Sequence, residues 1–233
     1  MITVWRIALD PARAPSAADC ALLSAAEMER ASRFATDELR HRWLHGHVAM
    51  RRILAARLGV APADLAYGAG ASGKPFLAAP AGSGLEFNFS DSADLALLAV
   101  SDAGPVGVDV EALRRVPEFE AITARFFSTE ERTALLALPE AERLGAFHRV
   151  WARKEAYIKA VGDGLAHGLQ RFAVTHARGD ARFVHLDGSR EAARGWTLAE
   201  VEVPAGYEGA VAVPRPACPI AVADYADERG VRV

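Results

Sequence analysis

The chain has 233 residues, 51% of them hydrophobic and 24% charged, with a net charge of −3, the profile of an ordinary soluble globular protein with ample core-forming residues. The near-neutral balance and the lack of any block of like charges argue against a general nucleic-acid binder, whose basic footprint shows in the totals. Cys20 and Cys218 lie far apart and belong to no CxxC, so they read as ordinary thiols in a reducing compartment.

At the start of the chain, MITVWRIALDPARAPS carries an aspartate and prolines where a signal peptide needs an uninterrupted apolar segment. No apolar run approaches a membrane span. A cytoplasmic protein with no membrane contact is expected. A strand over residues 2–9 leads into helical material from about Ala18 to Leu58, with Thr36-Asp37-Glu38 offering a capping start. Within it, HRWLHGH (41–47) sets His41 and His45 one helical turn apart, a metal-ligand spacing, but lacks the Glu that follows the first His in HExxH. With Arg40, Arg42, Arg51, Arg52 and Arg57 nearby, the histidines read better as part of a basic helix face, solvated or able to bind phosphate.

Residues 59–84 form a connector rich in Gly, Pro and Ser. Its GAGASGKP (68–75) matches GxGxxG and, as far as the lysine, GxxxxGK. Pro75 stands where Ser or Thr would hold magnesium, and FLAAPAGSG is too broken to form the helix that both motifs require. The stretch reads as a turn from which Lys74, between Gly73 and Pro75, can reach an anion. Three short strands follow, LEFNF (85–89), DLALLAV (94–100) and PVGVDV (105–110). Helices over about 128–138 and 140–161 come next, then strand-like runs at 171–176, 181–186, 196–203, 208–213 and 219–224. An α+β unit thus occurs twice, with the midpoint near Pro105, and the halves are expected at 1–104 and 105–233.

Charge concentrates at two places in the second half. In PVGVDVE (105–111), a period of two turns Val106, Val108 and Val110 to one side, while Gly107, Asp109 and Glu111 share the other. Paired acids on one face suit a well-solvated strand end or a bound cation. In the helix around WARKEAYIK (151–159), Phe147, Val150, Trp151, Ile158 and Val161 form an apolar stripe, with Lys154 near its centre and Glu155 on its shoulder. An exposed Glu155 to Lys159 pair would explain only part of this, because Lys154 falls where burial is expected. If the helix docks so that Glu155 meets Asp109 and Glu111, the three carboxylates make an all-oxygen site suited to magnesium.

GVDVE (107–111) and WARKEAYIKAVGDGL (151–165), with RFFSTEE (125–131) between them, resemble the 4′-phosphopantetheinyl transferases of the larger, single-chain type associated with surfactin synthetase. GKP (73–75), FNFSDS (87–92) and the basic RFATDELRHRW (33–43) extend that resemblance over most of residues 27–165. It implies an α+β pseudo-dimer of two similar α/β halves, monomeric, with the active site and coenzyme A in the cleft between them. It further implies magnesium ligands at Asp109, Glu111 and Glu155, with Lys154 and Lys159 on phosphates or the leaving group. Lys74 would lie by the adenine nucleotide, Arg42 and Arg30 by the 3′-phosphate, and Ser90 and Asp91 within the coenzyme A site. Glu131 takes the place of the general base, with neighbouring Glu130 and a water at the metal as alternatives.

One position departs from the family pattern. FNxSHS has a histidine for the 3′-phosphate where this chain has Asp91, and an ionised carboxylate repels phosphate. Nearby arginines and His41 must compensate, or coenzyme A binds more weakly or differently. The implied reaction moves phosphopantetheine from coenzyme A to a serine of an apo acyl or peptidyl carrier domain. Arg114, Arg115 and Arg125 are candidates for docking that acidic partner. The competing readings are a non-catalytic protein that binds coenzyme A or a carrier, and a magnesium-dependent pyrophosphate hydrolase.

Overall fold

The structure, a computed structural model, describes residues 1–162 and 168–226. Its first half runs β1 (Ile2–Ala8), α1 (Ala17–Cys20), α2 (Ala25–Ala31), α3 (Asp37–Leu58), the hairpin β2 (Ala66–Ala69) and β3 (Pro75–Ala79), then β4 (Glu86–Ser92) and β5 (Leu95–Ser101). The second half runs β6 (Gly107–Ala112), α4 (Phe119–Phe126), α5 (Thr129–Ala137), α6 (Glu140–Val161), the hairpin β7 (Phe172–Val174) and β8 (Phe183–Leu186), α7 (Arg190–Arg194), β9 (Thr197–Glu200), β10 (Tyr207–Val213) and β11 (Ile220–Asp224). No helix among the described residues is long and apolar enough to cross a membrane.

Duplication is legible in the topology. Each half opens with a strand, continues through a 22-residue helix and a two-stranded hairpin, and closes an antiparallel sheet, β1-β5-β4 in one and β6-β10-β9 in the other. Both long helices stop the same way, at left-handed Gly59 and Gly162, where glycine adopts positive φ without a Cβ clash. One expectation needs correction at the end of the chain. β11, though it follows the second half in the chain, pairs in parallel with β1, so residues 220–224 of the expected 105–233 half complete the sheet of the first half.

β5 shows why the sequence LALLAV carries no polar alternation. Ala96, Leu98 and Val100 pack toward α3, while Leu95, Leu97 and Ala99 pack against Val106, Val108, Val110 and Val211 of the other sheet. A strand covered on both faces reads as continuous apolar sequence. A third cluster, built around Phe147, Val150, Ile158, Ala210 and Ala212, holds α6 against the second sheet. The predicted helical material at 18–58 divides into three helices, the last begun by Thr36 Oγ1 accepting from Leu39 N–H as expected. The β2–β3 hairpin was read only as a connector, because its strands are short and mostly exposed.

Edges of the two sheets meet where β4 runs beside β6. Alternate side chains of FNFSDS reach across: Asn88 Oδ1 accepts from Val108 N–H at 2.8 Å, Ser90 Oγ donates to Asp109 Oδ1 at 2.7 Å, and Ser92 Oγ accepts from Ala112 N–H at 3.0 Å. The intervening Phe87 and Phe89 pack toward α3. From the other side α6 approaches β6 at Gly107, where an added Cβ would lie 2.0 Å from Ala156 O and 2.3 Å from Ala160 N. Both obstacles are backbone and cannot rotate away. Gly107→Ala is therefore expected to cost about 3 kcal/mol or more, as overpacking of a closely fitted core does. Urea unfolding measures it, and a wild-type midpoint would disprove the close approach.

Candidate active site

With Gly107 bare, α6 lies close enough to β6 for Glu155 and Lys159, on either side of Ala156, to flank the strand face that carries Asp109 and Glu111. Asp109 is 4% exposed. Its Oδ1 accepts from Ser90 Oγ at 2.7 Å and from Lys159 Nζ at 2.6 Å, while Oδ2 is buried with no partner. Lys159 Nζ also donates to Ser90 Oγ at 2.9 Å.

All three carboxyls are harder to ionise than free ones. Burial raises Asp109 most, against the opposing pull of Lys159 and Ser90. Glu111 is pushed up to about 7 by burial and then by the charge of Asp109, with Glu155 adding to the push and Arg114 and Lys159 opposing it. Glu155 rises through burial and Asp109, again against Lys159. The three share one electrostatic field, yet no group of three His, Cys, Asp or Glu side chains among the described residues is drawn together as a metal cluster. Lys159 holds Asp109 instead. The donor set still fits magnesium, being oxygen only, with one buried carboxylate oxygen, Asp109 Oδ2, lacking any other partner.

Two expected residues are turned elsewhere. Lys154 is 1% exposed and donates to Glu131 Oε1 and Oε2 at 2.8 and 2.7 Å and to Phe172 O at 2.7 Å, with its ammonium 4.3 Å from the centre of the Phe172 ring. It is therefore not presented to a phosphate. Glu131 accepts in addition from Val174 N–H and Ser128 N–H, both at 2.8 Å, so its carboxylate is fully committed within the core and is not placed as the general base. The reason is local. Ser128 and Glu131 form a capping box at the start of α5, which the spacing S-x-x-E signals, and the buried lysine needs an acid. Burial lowers the Lys154 pKa and Glu131 opposes that shift.

The coenzyme-directed residues are dispersed. Lys74 Nζ donates to Val106 O at 3.2 Å and Ala160 O at 3.4 Å, and Ser72 Oγ bonds Gly162 O, so the GKP turn ties the first half to the carbonyl-rich end of α6. Arg42 pairs with Asp94 at 2.7 Å, and Arg30 lies 5.8 Å from the Trp43 ring centre. The Asp91 carboxyl makes no hydrogen bond or ion pair with another described residue; burial raises it and Lys159 opposes. His41 and His45 donate to Pro11 O and Arg13 O, each at 2.9 Å, pinning the loop after β1 rather than facing a ligand. His47 stacks on Trp43 at 3.6 Å and, shielded from water, is pushed down to about 4. The end of the WARKEAYIKAVGDGL motif, residues 163–165, lies outside the described residues.

Sequence reasoning missed His148. It is 3% exposed, with Nε2 2.9 Å from Arg114 O and Nδ1 unpartnered. It lines a hollow beside Glu111 together with Arg114, Arg115, Ile122, Phe147 and Trp151. It lies off the apolar stripe of α6, and nothing in the sequence separated it from an ordinary helix residue.

Buried and half-buried carboxylates that repel one another weaken a fold, and such groups cluster at functional sites. Comparison with known proteins gives the family. The second half matches the 4′-phosphopantetheinyl transferase superfamily model over residues 105–212, and the first matches the 4′-phosphopantetheinyl transferase N-terminal model over 9–103. The 4′-phosphopantetheinyl transferase HetI of Nostoc sp. is 40% identical over 166 residues, covering 71% of this chain and 70% of that protein. Two Bacillus subtilis transferases, ffp and Sfp, are 33% and 30% identical over 84% of both chains in each case. A distant likeness, at TM-score 0.37 and 23% identity, covers 48% of this chain and 63% of Thermotoga maritima holo-acyl-carrier-protein synthase. The chain belongs to the 4′-phosphopantetheinyl transferase superfamily.

Since Lys154 and Glu131 satisfy each other out of water, Lys154→Met is expected to cost about 3–5 kcal/mol by stranding a buried charge. Denaturant unfolding reads this. Unchanged stability with lost transfer would return the lysine to the cleft.

Proposed function

We propose that the protein transfers the 4′-phosphopantetheine arm of coenzyme A to a serine hydroxyl of an apo acyl or peptidyl carrier domain, releasing 3′,5′-adenosine bisphosphate. It does so as a cytoplasmic monomer whose two halves supply the two walls of the site. The observation that carries the reading is the buried, unpartnered Asp109 Oδ2 beside two carboxyls that it makes harder to ionise. Asp109, Glu111 and Glu155 would hold magnesium, which when bound supplies positive charge to the pyrophosphate of coenzyme A.

The remaining work falls to the chain itself. Lys159, partly exposed on a flexible stem, would offset charge on the phosphoryl and leaving oxygens. With Glu131 committed to Lys154, the serine proton would pass to water at the carboxylate cluster. Arg42 would exchange Asp94 for the 3′-phosphate, since a half-exposed pair is worth little. Neither Arg114 nor Arg115 has an ion-pair partner among the described residues, and both rim the hollow beside Glu111, whose apolar wall suits the docking of an acidic carrier domain.

Incubation with coenzyme A, magnesium and several apo carrier domains, followed by intact mass spectrometry, should add one phosphopantetheine to at least one carrier. Asp109→Ala should abolish the gain while leaving the circular dichroism spectrum unchanged. No gain on any carrier would count against the transferase reading, and full activity of the variant against the metal assignment.

A pH test follows from Glu111. A carboxyl raised on folding keeps its proton after the unfolded chain has released one, so its contribution to stability declines as pH climbs from about 4.5 to about 7. In metal-free buffer, the melting temperature of the wild type minus that of Glu111→Gln should decline across that window. A flat difference would remove Glu111 from the coupled cluster.

A further inference from the structure

We infer that Lys159 is a built-in stand-in for the metal: its ammonium holds Asp109 in the free protein, and a divalent cation must displace it before Lys159 can meet substrate phosphate. The inference rests on the metal site proposed above and concerns how that site is loaded.

Three observations lead to it. Lys159 Nζ lies 2.6 Å from Asp109 Oδ1, the oxygen that Ser90 also contacts at 2.7 Å, so one carboxylate oxygen is gripped from both halves of the molecule. The other oxygen, Oδ2, is buried and unpartnered. The site therefore stands half neutralised, with a monovalent cation on one oxygen and no partner on the other. The second observation is the contrast with Lys154, five residues earlier on the same helix. That ammonium is sealed in, with three protein acceptors and 1% exposure, and is a fixed part of the core. Lys159 keeps 28% of its side chain exposed, so its stem can swing out without breaking the core. The third is a second contact of the same ammonium: Lys159 Nζ also donates to Ser90 Oγ at 2.9 Å, so it bridges the hydroxyl and the carboxylate that meet across the seam.

An ammonium against Oδ1 and a dication on the same carboxylate are like charges within a few ångströms, and they disfavour each other. Metal entry therefore weakens the Lys159 contact, and by reciprocity the Lys159 contact weakens metal binding. The released ammonium is then available to phosphate. Substrate phosphate and metal become coupled, since the lysine that serves one is freed by the other.

Calorimetric titration of the full chain with manganese alone, without coenzyme A or carrier, tests this. K159M is expected to bind manganese at least about tenfold more tightly than the wild type, within the usual range of a coupling between two sites. Its melting temperature in metal-free buffer should fall below the wild-type value, and saturating manganese should narrow the gap. K159R, which keeps the cation, should bind no more tightly than the wild type. A folded K159M with equal or weaker manganese affinity overturns the exchange while leaving the metal site intact. Absence of binding by both proteins overturns the metal site and the exchange together. If K159M does not fold with or without manganese, the wild type is read directly: the Lys159 ammonium resonance, protected while it holds Asp109, should broaden on adding magnesium. An unchanged resonance overturns the proposal.

Discussion

Everything at the seam depends on how closely the backbone of α6 can approach β6. That distance is set by a missing side chain, because Gly107 leaves no atom where Ala156 O and Ala160 N need the space. Once the helix is that close, Glu155 and Lys159 must lie along the face of Asp109 and Glu111, and the valines on the opposite face are free to join the two sheets. The glycine, the two acids and the helix motif form a single packing solution. A strand with a larger residue at 107 would hold the helix away and scatter the charges. The same economy appears on β4, whose phenylalanines support α3 while its Asn88, Ser90 and Ser92 bind β6.

The charged pairs of α6 divide the labour. Lys154 with Glu131 ties the helix to α5 and to the strand that carries Phe172, and both charges are satisfied out of water. Such pairs add little net stability over an apolar equivalent, but they penalise any packing that separates them, which gives the helix one orientation. Arg153, fully buried, does similar work through Thr175 O, Ala177 O and Glu200. The helix is thus held rigidly on one side, while Glu155 and Lys159 face the seam with some freedom on the other. Reactive groups keep their spacing best when the element that bears them cannot shift.

Much of this could be read before the structure was known, and the failures have physical causes. The period of two in VGVDVE separated valines from acids correctly, because a strand has only two faces. The duplicated order of elements was visible since long helices and buried strands leave strong patterns. Lys154 shows the limit. Helical periodicity identified it as misplaced, but the partner that resolves the conflict lies 23 residues away in another helix, and periodicity carries no information about that distance. Ser90 belonged to a motif associated with coenzyme A, whereas its hydroxyl is engaged with Asp109, a contact created by two strands meeting edge to edge. The hairpin β2–β3 escaped because exposed four- and five-residue strands look like turns. The outer position of β11 escaped as well, since nothing in its sequence distinguishes a return to β1 from a place beside β10.

That return has a consequence for how the molecule is made. A ribosome delivers β1, β4 and β5 early, yet the outer edge of β1 has no neighbour until residues 220–224 emerge. Throughout synthesis of the second half, the nascent first half presents an unpaired strand edge, the kind of surface on which chains stick to one another. Parallel pairing of β11, backed by Arg6 with Asp224 and by Tyr225 N–H on Arg6 O, closes that edge last. β1 thus waits for β11, more than 200 residues later in the chain, before its sheet is complete.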